Sequence, residues 1–426
     1  AMPEVARDAR SPSCTPACST CFFSCFRRAR STFFTDQSTY TDGPKMTRMP
    51  SSKYLNRLSE RFRALETRVA GLVILKPGDG FDTYFQRRGD IGEGGFGSVF
   101  RAKPLEKVLQ TIPDLENDGM YAIKCVPFPK SDRHIEEIEM SSLDVSVARH
   151  EEVFELLTSE RASTNHVLRL FGKFIQRPDC LYIVMEMLQG PDLLDWFRGC
   201  EGALSETDAA KLTRQMFTAI HYLHRTVGLV HRDVKLENLG FSQDVPDGCL
   251  GTLKIFDYGM VTVLPDKVTE STATHLFDSC VGGSFLYMAP EAWKGKCGPA
   301  VDVWGVGVIL YCLLNQRLPF DVQRCRDMQD CSKAVAQNDL VFECEISNAV
   351  KSLLQALLDK RAQSRATTQD ALDSEWLSTS LKQKGTDCHP KIGKSTSAHV
   401  PRPSRTRHIG HRPSFWNSVM LAPSSK

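Results

Sequence analysis

One stretch, residues 231–240, organises the chain, and it reads HRDVKLENLG. The acid Asp233 is followed by a cation, Lys235, and by an amide, Asn238. Phosphoryl transfer uses these three kinds of group: a carboxylate that receives the proton of a hydroxyl, a cation that offsets phosphoryl charge, and a neutral oxygen that helps to hold Mg²⁺. Because one such stretch can arise by chance in a long chain, its meaning depends on the parts that flank it.

The overall composition is that of a globular protein. With 426 residues and 41% hydrophobic side chains, the chain has room for one two-lobed catalytic unit with tails. It has neither an apolar run long enough to cross a bilayer nor a readable secretory signal. Most of the 15 cysteines stand singly, as free thiols do in a reducing compartment, so the sequence predicts a cytoplasmic location.

The charge is unevenly distributed along the chain. Residues 1–80 carry a net charge of +6 and residues 377–426 carry +8, whereas the residues between them carry −12. An acidic body does not suit a core that binds nucleic acid, so no nucleic-acid partner is expected. It does suit a groove that attracts basic peptides.

Residues 1–80 are predicted to form a largely disordered extension, with a helix at 54–69 where apolar residues recur at helical spacing. The extension contains four closely spaced cysteines: Cys14, Cys18, Cys21 and Cys25. A zinc site is disfavoured, because the spacing lacks paired C-x-x-C units and no histidine accompanies it. Acylation of these cysteines, beside arginines, would give a membrane anchor, and the alternative is a disordered cysteine-rich tail.

A glycine-rich stretch, DIGEGGFGSVF, occupies residues 90–100. A dinucleotide-binding fold would need a helix directly after the glycines, but residues 98–102 have the pattern of a strand. The glycines therefore belong to a hairpin whose backbone N–H groups can close over phosphates. The residues predicted to contact a nucleotide here are Ile91, Gly92, Gly94, Gly97 and Val99.

Lys124 ends an apolar strand, Tyr-Ala-Ile-Lys, after a polar insertion at 103–119. A lysine at a buried strand position must be paired, and nucleotide phosphates and a helical glutamate are the natural partners. A helix is predicted at about 144–159. Glu152 interrupts its apolar stripe and is the preferred partner, with Glu155 as the alternative.

Further along, the chain adds DYG at 257–259, APE at 289–291, DVWG at 302–305 and a distal Arg365. With these motifs in this order, residues 86–377 resemble a eukaryotic protein kinase. Lys235 marks the serine/threonine type, and the general pattern is loosely similar to calcium/calmodulin-dependent kinases. The resemblance implies an α+β, two-lobed kinase fold at 81–377: a small β-rich N-lobe at 81–187 and a larger helical C-lobe at 188–377. A basic disordered tail at 378–426 would follow.

The resemblance also implies roles for individual residues, with ATP and Mg²⁺ as cofactors. Asp233 would accept the hydroxyl proton, and Lys235 would neutralise the γ-phosphate. Asn238 and Asp257 would hold Mg²⁺, while Lys124 would bind the α- and β-phosphates and pair with Glu152. The sites implied for the base are Ala122 and the backbone of Glu186 and Leu188.

Other implied positions concern structure and the departures from the family pattern. Glu291 and Arg365 would form a buried ion pair, and Asp302 would hold the backbone of the catalytic loop. Gly240 stands where the family usually places an apolar residue under the adenine. Phe256 is bulkier than usual, so we hypothesise that it fills part of the floor. These departures are the support for an alternative, a pseudokinase scaffold that binds ATP without efficient transfer.

The resemblance suggests partners as well. Asp192 and Glu237 occupy positions that meet arginines upstream of the phosphosite in basophilic relatives, so protein substrates with basic motifs are expected. Arg232 precedes the catalytic acid, where a cation would await a phosphate on the activation segment. The sequence therefore also predicts an upstream activating kinase, with Ser279, Thr274 and Thr272 as candidate acceptors.

Overall fold

The structure is a computed structural model that describes a defined part of the chain. The described residues are 72–75, 80–94, 97–127, 153–154, 156–158, 164–176, 180–200, 202–245, 250–264, 277–278, 283–322, 325, 327–342 and 344–380. The predicted helix at 54–69, the N-terminal cysteine cluster and the tail beyond 380 lie outside these ranges, so those expectations stay predictions.

A six-stranded sheet forms the first half of the fold, in the order β1-β5-β6-β4-β3-β2. Its strands are β1 (Leu72–Ile74), β2 (Phe85–Gly94), β3 (Gly97–Pro104), β4 (Tyr121–Pro127), β5 (Leu170–Gln176) and β6 (Cys180–Glu186). Strands β2 to β6 pair antiparallel with their neighbours, and β1 pairs parallel with β5. The sheet and the helical part that follows it confirm the predicted α+β kinase fold.

The N-lobe core extends beyond the predicted domain start. Strand β1 precedes Phe81, and Leu75 just after this strand is buried in the same cluster as Phe81. The Phe81 ring stacks on Tyr182 of β6, with 4.1 Å between ring centroids, and on Phe85 of β2 at 5.1 Å. Residues 72–75 and 80–85 therefore contribute a strand and aromatic packing to the lobe.

The segment between β3 and β4, which the sequence presents as a polar insertion, has structure of its own. It contains helix α1 (Glu106–Thr111), whose Val108 is fully buried. Ile112 and Leu115 are also buried in this cluster. The sequence did not indicate this burial, because exposed charged and polar residues separate the apolar ones and make the segment polar on average.

Helices dominate the second half of the fold. They are α2 (Leu193–Arg198), α3 (Glu206–Tyr222), α4 (Ala300–Asn315), α5 (Met328–Gln337), α6 (Asn348–Leu357), α7 (Thr368–Leu372) and α8 (Glu375–Ser380). The Ser205 hydroxyl caps α3 by accepting the Asp208 N–H. Every residue of α4 is buried, so this helix forms the centre of the lobe.

Three short antiparallel ribbons position the loops between the lobes. They are β7 (Leu229–Val230) with β10 (Thr262–Val263), β8 (Leu239–Phe241) with β9 (Leu253–Ile255), and β11 (Phe277–Asp278) with β12 (Lys296–Cys297). The HRD loop runs from β7 to β8, and the DYG turn runs from β9 to β10. Within the described ranges, the helices are too short or too polar to span a bilayer.

Candidate active site

Asp302 at the start of α4 holds the backbone of the loop at 231–240. Its carboxylate accepts the N–H of His231 and the N–H of Arg232, each at 2.7 Å. Arg232 has φ 66°, a left-handed conformation that costs energy for a side chain of this size. Because Asp302 is 1% exposed, these two backbone N–H bonds form away from water and can maintain this backbone conformation.

Three hydrogen-bond donors converge on the Asp233 carboxylate. Asp233 Oδ2 accepts from Lys235 Nζ at 2.6 Å and from Asn238 Nδ2 at 3.0 Å. Asp233 Oδ1 accepts the Ser284 N–H at 2.8 Å, and Lys235 Nζ also donates to Ser284 Oγ at 2.7 Å. The three residues that the loop motif singled out are thus brought together, with Ser284 closing the group from the activation segment.

The environment of Asp233 sets its charge. Burial acts to raise the pKa of the carboxyl, but the ammonium of Lys235 and the hydrogen bonds from Lys235 and Ser284 outweigh it, and the pKa lies below its usual range. Asp233 is therefore ionised at neutral pH, and an ionised carboxylate can orient a hydroxyl and receive its proton.

Lys124 of β4 reaches across to the DYG turn. Its Nζ lies 2.6 Å from Asp257 Oδ1, and both side chains are mostly buried. Burial acts to raise the pKa of Asp257, but the charge of Lys124 outweighs it and lowers the pKa. The neighbouring Tyr258 hydroxyl, which needs a partner when buried, donates to the Leu168 and Ile255 carbonyls at 3.2 Å.

The predicted helical partner of Lys124 falls outside the described residues. Neither Glu152 nor Glu155 is described, whereas Val153 and Phe154 between them are helical and buried. The choice between the two glutamates therefore stays a prediction.

Two oxygen ligands are available for a metal ion. Asn238 donates its amide Nδ2 to the Asp233 backbone carbonyl at 2.8 Å, which fixes the amide and leaves its oxygen as an acceptor. The Asp257 carboxylate supplies an anionic oxygen. Mg²⁺ commonly binds through one or two protein oxygens together with phosphates and water, so these two residues fit it. In the part of the chain that is described, three or more His, Cys, Asp or Glu residues do not cluster as a metal site.

The glycine stretch forms the predicted hairpin. Gly94 of β2 pairs with Gly97 of β3 at its tip, and Val99 pairs with both Gly92 and Lys124. Gly97 has φ 122°, and a methyl group there would lie 2.0 Å from the Cys125 carbonyl oxygen. The glycine is required at this position by conformation and by space. Ile91 lies on the same hairpin, and Ala122 lies on the adjacent strand.

The segment joining the lobes contains a contact that the motifs did not predict. Glu186 ends β6, and its Oε2 accepts from Lys254 Nζ at 2.8 Å and from the Arg169 N–H at 3.2 Å. Lys254 pairs with Gly240 in the β8–β9 ribbon. A lysine between two core residues, Leu253 and Ile255, was the sequence signal for such a partner. Leu188 follows in the joining segment.

A buried ion pair joins two segments of the larger lobe. Arg365 donates to the two carboxylate oxygens of Glu291 at 2.5 and 2.9 Å, and also to the Ala300 carbonyl at 2.8 Å. Its guanidinium lies 4.9 Å from the Trp304 ring centroid. The pair joins the APE motif to α4 and has a structural role.

Comparisons with known proteins agree with this geometry. The family model "Protein kinase domain" matches residues 85–377. The probable serine/threonine-protein kinase KIN1 homolog of Encephalitozoon cuniculi is 28% identical over 64% of this chain and 44% of its own length. The calcium/calmodulin-dependent protein kinase of Metarhizium anisopliae is 35% identical over 53% of this chain and 56% of its own length.

A further relative covers more of both chains. The calcium/calmodulin-dependent protein kinase type 1 of Caenorhabditis elegans is 30% identical over 68% of this chain and 72% of its own length. The chain spans only about half the length of the first two relatives, at 44% and 56%. The family match nonetheless includes every motif from the glycine hairpin to Arg365. The chain therefore belongs to the eukaryotic protein kinase family, of the serine/threonine type.

Proposed function

We propose that this chain transfers the γ-phosphate of Mg²⁺-ATP to serine and threonine hydroxyls of proteins. The observation that carries the proposal is the convergence of Lys235, Asn238 and Ser284 on the ionised Asp233 carboxylate. A pseudokinase that had lost transfer would not need this complete set of charged and polar groups at hydrogen-bonding distance.

Different residues of the chain have different roles in the proposed transfer. Lys124 binds the α- and β-phosphates, and the hairpin at 92–97 covers them with backbone N–H groups. Asp233 orients the substrate hydroxyl and receives its proton, while Lys235 offsets the charge on the transferred group. When bound, Mg²⁺ neutralises phosphate charge, and Asn238 and Asp257 would hold it.

A transfer assay with radiolabelled ATP tests the proposal. Purified full chain should phosphorylate a mixed serine/threonine peptide library, and Asp233→Ala should abolish transfer while retaining ATP binding. The matched control Asp118→Ala removes an exposed acid from the segment between β3 and β4 and should leave transfer intact. ATP binding without transfer by the wild-type chain would support the scaffold alternative and refute enzymatic transfer.

We propose further that the substrates carry basic residues upstream of the phosphosite. Asp192 caps α2, and Glu237 lies in the catalytic loop, where it is 6% exposed and accepts the Tyr287 hydroxyl at 3.3 Å. Burial and the charges of Asp195 and Glu237 raise the pKa of Asp192 to about 7. An arginine side chain near Asp192 would relieve this accumulation of negative charge.

A peptide array distinguishes this substrate class. Arginine at the third or second position before the phosphosite, with a hydrophobic residue just after it, should be preferred. Preference for acidic residues upstream, or for proline directly after the phosphosite, would contradict the proposal.

Two partner proposals extend from the sequence. An upstream kinase would activate the chain by phosphorylating the segment that contains Ser279, Thr274 and Thr272, which lie outside the described residues. Mass spectrometry of the protein isolated from cells, followed by alanine substitution of the modified residue, tests this proposal.

A membrane anchor would come from acylation of the N-terminal cysteines in an otherwise cytoplasmic protein. Changing Cys14, Cys18, Cys21 and Cys25 to serine should release the chain from a membrane fraction. An unchanged distribution would contradict the anchor.

A further inference from the structure

Two short stretches outside the kinase domain carry the same pattern. They read RSTF at residues 30–33 and RPSF at residues 412–415. In each stretch a hydroxyl residue has an arginine two positions before it and a phenylalanine directly after it. Thr32 and Ser414 are the two hydroxyl residues of the sequence that combine an arginine two or three positions before them with a large aliphatic or aromatic residue directly after them. Both therefore match the substrate class proposed for this chain.

The acidic groups that would meet the arginine lie beside the catalytic loop. Glu237 follows Asp233 by four residues, and its neighbour Asn238 donates to the Asp233 carboxylate at 3.0 Å. Asp192 forms an antiparallel backbone bridge with Gly240, the last residue of the loop. An arginine two positions before the acceptor lies ~7 Å from it along an extended peptide. Its long side chain can extend from there toward these acids.

An apolar surface follows the residue that closes the group around Asp233. Ser284 donates its N–H to Asp233 Oδ1 at 2.8 Å, and Phe285 and Leu286 come directly after it. Both of these apolar side chains remain partly exposed. Because the acceptor hydroxyl must reach Asp233, the next residue of a bound peptide lies only ~3.4 Å further along. A phenylalanine at that position would bury more apolar area than a polar residue would.

The C-terminal segment follows directly from the lobe that carries these groups. The Trp376 indole N–H donates to Glu206 Oε2 at 3.0 Å, which fixes α8 at the start of α3. Ser414 lies outside the described residues, 34 positions after Ser380. A chain of that length spans up to about 110 Å.

The N-terminal segment is long enough as well. Thr32, also outside the described residues, precedes Leu72 of β1 by 40 positions, which span up to about 130 Å. A domain of about 300 residues has a radius of gyration of about 19 Å and is roughly 50 Å across. The lengths of both segments therefore allow each hydroxyl to reach the active site of its own chain.

We infer that this chain phosphorylates itself, with Thr32 and Ser414 as the acceptor residues. The inference rests on the proposed transfer function and identifies two substrates of that site within the chain. In each reaction the hydroxyl oxygen forms a bond to the γ-phosphorus of ATP, and the bond from this phosphorus to the β–γ bridging oxygen breaks. ADP leaves with the electron pair of the broken bond, and the hydroxyl proton passes to Asp233.

Phosphorylation changes the charge next to each acceptor. Residues 402–412 contain four arginines and no acid, and residues 27–30 contain three arginines and no acid. Each phosphate adds nearly two negative charges at neutral pH. A phosphate next to Arg412 therefore weakens the attraction of the segment for Asp192 and Glu237. The modified segment is released, and the site becomes available to other substrates.

Each segment also contains a hydroxyl that serves as a matched control. Ser404 lies in the stretch RPSR at residues 402–405, where arginine replaces the phenylalanine that follows Ser414. Ser31 adjoins Thr32 and has an arginine three positions before it, but it is followed by a threonine. The control hydroxyls are as near to the domain as the acceptors, so reach does not distinguish them. A difference in rate would report the residue that follows the hydroxyl.

The test uses the full chain, purified and treated with a phosphatase that is then removed. After addition of Mg²⁺-ATP, quantitative phosphopeptide mass spectrometry follows each hydroxyl with time. Thr32 and Ser414 should be modified at least about tenfold faster than Ser31 and Ser404. The Asp233→Ala chain, prepared in the same way, should remain unmodified. Modification of that chain at the wild-type rate would show that a contaminating kinase is responsible and would overturn the inference.

Substitutions within the C-terminal segment test the two recognition elements separately. Phe415→Arg should slow modification of Ser414 about tenfold or more, and Arg405→Phe should accelerate modification of Ser404 by a similar factor. Arg412→Ala should slow modification of Ser414 about tenfold and leave that of Thr32 unchanged, since Thr32 has its own arginine.

Phosphorylation of an added peptide with an upstream arginine is the control for the domain itself. It should proceed at the wild-type rate in all three variants, because the substituted residues lie outside the kinase domain. Equal rates at Ser404 and Ser414 in the wild-type chain, or an unchanged rate at Ser414 in Phe415→Arg, would overturn the inference.

The added peptide also separates this inference from the proposed function. A wild-type chain that phosphorylates the peptide but neither Thr32 nor Ser414 would overturn self-phosphorylation and leave the transfer function standing. A chain that binds ATP and phosphorylates neither itself nor any peptide would refute the transfer function, and the inference with it.

Discussion

Lys124 Nζ lies 2.6 Å from Asp257 Oδ1, and this ion pair joins the sheet of the small lobe to the DYG turn. Both groups are largely removed from water, with 14% and 17% of their side chains exposed. Each charge is therefore compensated mainly by protein groups.

Changing Lys124 to methionine should raise the pKa of Asp257, because burial would then act without the opposing ammonium charge. Phosphate transfer should fall by a factor of about 100 or more, since the proposed contact of Lys124 with the α- and β-phosphates is lost. The pKa can be followed by NMR of carbon-labelled aspartate, and transfer by the radiolabel assay. The control Lys103→Met removes a lysine on β3 whose nearest carboxylate, Asp118, is 3.9 Å away and exposed. A Lys124→Met chain with wild-type transfer would contradict the assignment.

Removing one partner of the Glu291–Arg365 pair should destabilise the fold strongly. Arg365→Met leaves the buried Glu291 carboxylate without its compensating charge and removes the bond to the Ala300 carbonyl. The expected loss of unfolding free energy is about 3–5 kcal/mol, measurable by denaturant titration. The double variant Glu291→Gln/Arg365→Met should regain part of it, because no buried charge remains. A single variant as stable as the wild type would show that the pair contributes little.

The candidate catalytic residues could be predicted from the sequence, because the chemistry requires particular residue types at a fixed spacing within short motifs. Asp233, Lys235 and Asn238 lie within six residues, and the structure brings them to one carboxylate. Their distant partner Ser284 lies 51 positions after Asp233, outside the short motif that contains the other three.

Contacts that arise from packing were harder to predict from the sequence. The Lys254–Glu186 bond joins residues 68 positions apart, and nothing in the local pattern of either one specifies the other. Strand β1 has only three residues, and its pairing with β5 depends on a parallel register that the sequence does not indicate. The Gly240 and Phe256 departures were visible in sequence, but only the distances show that Leu188 shares their space.

Glu206 at the start of α3 holds the end of the catalytic domain in place. Its carboxylate accepts the Ser347 N–H at 2.6 Å, the Ser347 hydroxyl at 2.7 Å and the Trp376 indole N–H at 3.0 Å. Burial acts to raise the pKa of Glu206, but the hydrogen bonds from Ser347 and Trp376 outweigh it and lower the pKa below its usual value. The ionised form is therefore the one that stabilises the fold.

Glu206→Gln should accordingly lower the unfolding free energy at neutral pH by about 1–3 kcal/mol. Since the folded-state pKa is depressed, this stabilisation is fully present above the unfolded pKa and is lost as pH falls through the folded value. Denaturant titrations across acidic pH should show the wild-type and variant curves converging. Glu375→Gln, an exposed acid in α8, is the control and should show no comparable difference. Parallel curves for Glu206→Gln would contradict this account.

Asp192 should make recognition of basic substrates depend on pH near neutrality. Its pKa is raised to about 7 by burial and by the charges of Asp195 and Glu237, with Arg198 acting in the opposite direction. As pH falls below this value, the carboxyl becomes protonated and its attraction for an arginine is lost. For a peptide with upstream arginine, kcat/KM should therefore rise with pH through about 7, mainly through a falling KM.

Asp192→Asn should flatten this dependence, and asparagine is an equally good helix cap, so α2 keeps its N-terminal bond. A peptide without arginine should show no effect of the substitution, because Asp233, with its lowered pKa, stays ionised throughout this range. An arginine peptide whose KM is independent of pH in the wild-type chain would place its recognition elsewhere.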